Sequence, residues 1–221
     1  TPSGSGIYCI SVPKNGVYQV TLADSTRIWL NASSCLQFPS TFAKNTARKV
    51  SLTGEGYFEV AKLYHKTQRV HFIVLTKGQE VDVLGTHFNV RAYPNEKAIK
   101  TTLLEGSVRV IPAGPPATGP DPTLVDPLYV MKTKTKAGII LKPNQQAVLE
   151  AQQVSIKTVN AMESIAWTKD DFTFRNTPLK DVLGVVAGWH NLKVVYDNSA
   201  LGNILLCGRL QKSESMANIL T

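Results

Sequence analysis

No stretch of this 221-residue chain approaches the roughly 18–20 continuous apolar residues that a membrane-spanning helix requires, and the N-terminus lacks the basic start and apolar run of a signal peptide. The sequence alone therefore predicts a soluble chain. There is no Cys-x-x-Cys pair among the three cysteines, no His-x-His or His-Glu-x-x-His among the four histidines, and no serine in a Gly-x-Ser-x-Gly turn. Those absences remove the spacing signatures of zinc sites, disulfide frameworks, metalloproteases and serine hydrolases. Charged residues make up only 18%. Twelve prolines and fifteen glycines point to many turns and few long helices, hence to a β-rich fold.

The net charge is +8, which raises the question of a polyanionic partner. Its distribution argues against nucleic acid. Lys132, Lys134 and Lys136 alternate in a loop-like stretch, while Arg27, Arg48, Lys49, Arg69, Arg91 and Arg109 are scattered among apparent strands, where polar-face positions explain them. Cys9, Cys35 and Cys207 read as small buried apolar residues, with a Cys9–Cys35 disulfide left open for an oxidising compartment.

What the chain does have is alternation. Tyr18, Val20 and Leu22 oppose Gln19 and Thr21; Val50, Leu52, Phe58 and Val60 oppose Ser51, Thr53, Glu55 and Glu59. Period two puts one face in a core and the other in water. Further strands are predicted at residues 28–30, 70–76, 80–84, 88–93, 101–110, 128–132, 138–141, 147–149 and 154–159. Gly54, Gly56 and Gly85 interrupt the inward register and mark corners or close backbone approaches. Residues 112–127 hold six prolines and read as a long loop.

Near Trp167 the period changes. Phe172 and Phe174 form a short strand, and Thr177 then caps a helix whose first residue is Pro178. Leu179, Val182, Leu183, Val186 and Trp189 line one helical face up to a stop at Asn191. A strand is predicted at residues 193–196, another at 204–206 or to 210, and a second helix from Ser213. The expected fold is mainly β, with two packed antiparallel sheets or a β-roll over residues 1–160, followed by a small α+β domain over residues 161–221 that lacks a final strand.

Four runs occur in a fixed order: Gly54-Glu55-Gly56-Tyr57-Phe58-Glu59-Val60, Leu84-Gly85-Thr86-His87-Phe88-Asn89-Val90, Leu103-Leu104-Glu105-Gly106-Ser107-Val108-Arg109-Val110 and Leu141-Lys142-Pro143-Asn144-Gln145-Gln146-Ala147. Together they resemble the FecR-like family. Residues 24–31 also match, with Ser25 standing where the family's usual form has a glycine, which weakens the tight turn expected there. Trp167, Phe172, Phe174, Pro178, Leu179, Val182, Leu183 and Val194-Val195-Tyr196 resemble the small secretin and TonB short N-terminal domain.

The resemblance implies the periplasmic part of a single-pass inner-membrane anti-sigma regulator. A cytoplasmic sigma-binding region and a membrane helix would precede Thr1, and the signalling domain of a TonB-dependent outer-membrane transporter would be the periplasmic partner. No enzymatic activity and no cofactor are implied. An incoming strand is expected to dock near His190, Lys193, Val194, Val195 and Tyr196, through main-chain hydrogen bonds to an open sheet edge. Two other functions compete with this one. Trp29, Tyr57 and Glu59 would suit a carbohydrate-binding or carbohydrate-cleaving β domain if exposed, and a surface or adhesion domain is the third. Glu55 and Glu59, four apart on one strand, read as solvated outward residues and not as an acid–base pair.

Overall fold

The computed structural model describes residues 6–43, 46–112, 138–169, 171–190, 192–196 and 198–211. The N-terminal strands are β1 (Ile7–Ser11), β2 (Tyr18–Thr21), β3 (Arg27–Leu30), β4 (Cys35–Pro39), β5 (Arg48–Glu59), β6 (Tyr64–His65), β7 (Gln68–Arg69) and β8 (Phe72–Leu75). They are followed by β9 (Gln79–Val83), β10 (His87–Ala92), β11 (Ala98–Glu105), β12 (Val108–Pro112), β13 (Ile139–Leu141), β14 (Gln145–Glu150) and β15 (Gln153–Thr158). A 3₁₀ helix at Ala161–Thr168 leads to β16 (Asp171–Pro178), α1 (Leu179–His190), a second 3₁₀ turn at Ser199–Asn203 and β17 (Leu205–Gln211).

Thirteen strands share one curled sheet, and β5 is the strand on which it turns. Its first half pairs with β4 and, in parallel, with β8. From Gly54 onward it pairs with β10, and from Gly56 with β3, both antiparallel. One half of the sheet therefore runs through β1, β4, β8, β9, β12 and β13, the other through β2, β3, β10, β11, β14 and β15. The changeover falls at Gly54, whose φ is +95° and whose missing side chain makes room for Ser34: a Cβ there would lie 2.7 Å from the Ser34 Cα. Only glycine meets both demands without strain. The two halves close over a core in which Phe58 stacks on Phe88 at 5.0 Å between centroids and meets Phe72 at 6.4 Å.

The mainly β expectation stands, but the two separate antiparallel sheets do not. The sheet is single, curled and mixed, because a twelve-residue strand is long enough to serve both halves. Strands β1 and β4 escaped the pattern analysis; β1 is exposed almost throughout and so carries no apolar alternation. The strand expected over residues 101–110 is broken into β11 and β12 at Gly106, φ +94°. The loop expected at residues 112–127 from residue 113 on, the strand expected at residues 128–132, Lys132, Lys134, Lys136 and the helix expected from Ser213 lie outside the described residues.

Two charged residues were misplaced by the alternation argument. Arg48 is fully buried instead of on a polar face. Its guanidinium donates to Asp24 Oδ2 at 2.5 Å, to the Ala61 carbonyl at 3.0 Å and to the Val70 carbonyl at 2.9 Å, and lies 5.2 Å from the centre of the Phe72 ring. Glu55 is 4% exposed, not solvated, because β5 is flanked by strands on both edges and covered on both faces. The cysteines were misread too: Cys9 and Cys207 are exposed and Cys35 is half-buried.

The turn at Asp24–Thr26 survives its serine. Ser25 takes φ +67°, in the left-handed region, while Asp24 Oδ1 accepts from the Thr26 amide at 3.1 Å and Leu22 donates to the Thr26 carbonyl at 2.9 Å. Glycine at this position removes the steric cost of a side chain in that conformation. Ser25→Gly is expected to raise the unfolding free energy by roughly 0.5–1 kcal/mol in urea titrations. Arg48→Met, which leaves the Asp24 carboxylate buried without its cation, should lower it by about 3–5 kcal/mol in the same measurement.

Candidate functional site

Two places could in principle meet a partner: the strand bearing Trp29, Tyr57 and Glu59, and the small unit formed by β16, α1 and β17. On the first, Trp29 and Tyr57 are cross-strand neighbours whose rings lie 5.3 Å apart. Arg27 covers Trp29 at 5.7 Å and ion-pairs with Glu59, and the Tyr57 hydroxyl donates to Glu59 Oε1 at 3.1 Å. Burial, with the Glu59 carboxylate adding to it, raises the Tyr57 hydroxyl pKa well above its ordinary value. The tryptophan is half-buried and its faces are taken by a ring and a guanidinium, so it offers no open platform for a sugar.

Glu55 is equally committed. Its Oε2 accepts from Asn31 Nδ2 and from Arg91 Nη1, both at 2.8 Å, and its Oε1 accepts from Asn89 Nδ2 at 3.0 Å. Arg91 in turn holds Glu96 and lies 4.9 Å from the Tyr93 ring, whose hydroxyl donates to the Ala32 carbonyl at 2.8 Å. This network joins the β3–β4 turn, β5, β10 and the turn after β10. A carboxylate with three donors already on it is a fastening, not a general acid. Neither Glu55 nor Glu59 lines the cavity of about 260 Å³ beside His71, Asp82 and Arg109, or that of about 330 Å³ beside Tyr93 and Leu149.

The histidines are dispersed. His71 Nδ1 lies 2.6 Å from Asp82 Oδ1, His87 Nδ1 lies 3.3 Å from Glu105 Oε2, and His65 is exposed on the β6–β7 hairpin. Among the described residues no three His, Cys, Asp or Glu side chains converge in a way that could hold a metal ion.

The second place is built on an antiparallel pair. Strands β16 and β17 form a two-stranded sheet, and among the described residues each pairs only with the other. Helix α1 packs Val182, Val186 and Ala187 inward. Its start differs from the expected cap: β16 runs through Pro178, and the Leu179 amide donates to the Ile204 carbonyl at 2.7 Å. A main-chain acceptor across the unit thus satisfies a helix-start donor that Thr177 was expected to serve.

Residues 193–196 form no strand; they are irregular and largely exposed, with Val195 at 76%. The alternation of Lys193, Val194, Val195 and Tyr196 was a fair strand signal, but pairing decides strand formation, and the edge is occupied by β17 instead. The side chain of His190 lies outside the described residues. What sequence reasoning missed is Leu205, 61% exposed on β17 beside exposed Ile204 and Leu206. A run of three aliphatic residues reads as core, and only the small number of partner strands in this unit leaves it on the surface.

The comparisons with known proteins follow this division. A family described as "FecR protein" matches residues 9–109, and one described as "FecR, C-terminal" matches residues 171–221. Two crystal structures of candidate anti-sigma factors from Parabacteroides distasonis ATCC 8503 superpose with a TM-score of 0.66 each. One, at 2.50 Å resolution, is 25% identical and covers 97% of this chain and 88% of that one; the other, at 1.65 Å, is 26% identical and covers 96% and 88%. No curated protein matches. The class these findings define is that of candidate anti-sigma factors, regulators that normally carry no enzymatic activity. The chain belongs to the FecR family, and membership implies a sigma factor partner. No helix among the described residues is long and apolar enough to cross a membrane.

Because Leu205 already faces solvent, Leu205→Glu should leave the unfolding midpoint in urea within about 0.5 kcal/mol of the parent's stability. A larger loss would mean that Leu205 is covered.

Proposed function

We propose that this chain is the periplasmic sensor portion of a single-pass inner-membrane anti-sigma regulator, and that it relays occupancy of a TonB-dependent outer-membrane transporter to a sigma factor by protein–protein binding. The transporter's signalling domain docks on the β16–β17 unit. Its binding changes the contacts of the thirteen-stranded sheet, and an upstream membrane helix carries the change to a cytoplasmic sigma-binding region. The relay needs affinity and a change of contacts, not a reactive centre.

The observation that carries this reading is the exposed aliphatic run Ile204, Leu205 and Leu206 at the start of β17, a strand that among the described residues pairs with β16 alone. An added strand gains ladder hydrogen bonds from such an edge, and alternate side chains supply specificity. Exposed Val195, on the irregular segment that follows α1, supplies a further apolar contact. The runs at residues 54–60 and 84–90 are compatible with this reading, since Glu55 and Asn89 bind each other within the sheet and leave partner recognition to other surfaces.

The test is titration calorimetry of the chain against the signalling domains of transporters encoded beside its gene. One of them should bind, and Leu205→Glu and Val195→Glu should each weaken that binding by about tenfold or more while the fold is kept. Failure of every such domain to bind would sink the proposal; unchanged affinity in both variants would move the docking surface elsewhere.

A further inference from the structure

Among the described residues, strand β1 pairs with β4 alone. Its register sets Cys9 opposite Gln37 and Ser11 opposite Cys35, so the two cysteines are diagonal neighbours across the ladder. Their sulfur atoms lie 3.0 Å apart, closer than two non-bonded sulfurs ordinarily sit. About 1 Å of further approach reaches the roughly 2.05 Å of a disulfide bond, a distance that side-chain rotation supplies. Cys207 has a different setting: its thiol donates to Asn176 Oδ1 at 3.2 Å, on the far unit.

From this geometry we infer that Cys9 and Cys35 are a dithiol–disulfide couple whose oxidised form staples β1 to β4. The inference rests on the periplasmic reading for its biological setting, because only an oxidising compartment keeps such a bond closed.

The chemistry is thiol–disulfide exchange with a disulfide-bearing oxidant, either a protein oxidant of the compartment or oxidised glutathione. Exposed Cys9 is the sulfur a bulky oxidant can reach. Its thiolate attacks the oxidant's disulfide, forming a mixed disulfide and releasing one thiol. The Cys35 thiolate then attacks the Cys9 sulfur, closes the intrachain bond and releases the second thiol. One disulfide is consumed, one is formed, and the two thiols of this chain are exchanged for two thiols of the oxidant. Half-burial of Cys35, reinforced by its contact with the Cys9 thiol, raises the Cys35 pKa, which matches a resolving role and leaves first attack to Cys9.

The consequence is mechanical as well as chemical. With one ladder and an exposed surface including Ile7 and Tyr8, β1 is the part of the sheet best placed to peel away. The bond encloses the segment between the two cysteines, which contains β2 and β3, and removes that freedom from the unfolded chain.

The experiment takes the whole chain in a glutathione buffer, blocks residual thiols with N-ethylmaleimide and maps peptides without reduction. A single peptide pair linked through Cys9 and Cys35, with Cys207 blocked, and a thermal midpoint roughly 5–10 °C above that of the reduced chain are expected. Cys9→Ser and Cys35→Ser should each abolish that rise. Separate glutathione adducts on Cys9 and Cys35 with no linked peptide, or a rise that persists in both variants, would overturn the couple. Blocking in intact cells tests the setting separately. If both thiols are free in the cell while the linked peptide forms in the buffer, the couple stands and the periplasmic reading falls.

Discussion

A guanidinium with no access to water sits where β5 begins, and much of the sheet is arranged around it. Arg48 brings together three segments that are distant in sequence: the turn at Asp24, the stretch just past β5 at Ala61 and the approach to β8 at Val70. A buried charge is costly unless it is paired and hydrogen-bonded; the two terminal nitrogens of Arg48 meet three acceptors while its Nε is left without one, so any rearrangement of those segments would strand it further. The ion pair thus acts less as a source of net stability than as a penalty on wrong pairings. It fixes the parallel β5–β8 contact, which in a largely antiparallel sheet has no hairpin to enforce it. Thr26 completes the corner by donating to Asp24 and accepting from the Ala61 amide at 3.2 Å.

The ordered runs that connect this chain to its family turn out to be fold determinants. Glu55 and Asn89 share a buried hydrogen bond, Thr86 donates to the Ser107 carbonyl at 3.0 Å, and Asn144 takes φ +64° at the tight turn into β14. Each of these positions has a demanding local geometry that few residue types meet, so the sequence is constrained there whatever the protein binds. Surfaces that meet partners carry no such internal constraint. Family membership is accordingly easy to read from the sequence, and the identity of the partner is not.

The same physics explains which parts of the fold were legible. Strands with one wet face, such as β9 and β14, show their period plainly. Strand β5 misled because its polar residues answer to internal partners: Glu55 to Asn31, Asn89 and Arg91, and Arg48 to Asp24. Buried polar residues satisfied by distant groups look identical in sequence to solvated ones. Strand β1 was invisible for the opposite reason, being too exposed to alternate. In the small unit, period-two patterning marks strands at residues 193–196 and from 204; the second forms as β17 against β16, whereas the first finds no partner among the described residues, because pairing partners are not written in a local window.

Strand β5 belongs to both halves of the sheet, and Gly54 is the joint between them. It is the strand whose ladders are common to both halves, as a keel is common to both sides of a hull. Separating the two halves therefore means breaking ladders of β5, which ties the stability of each half to that of the other.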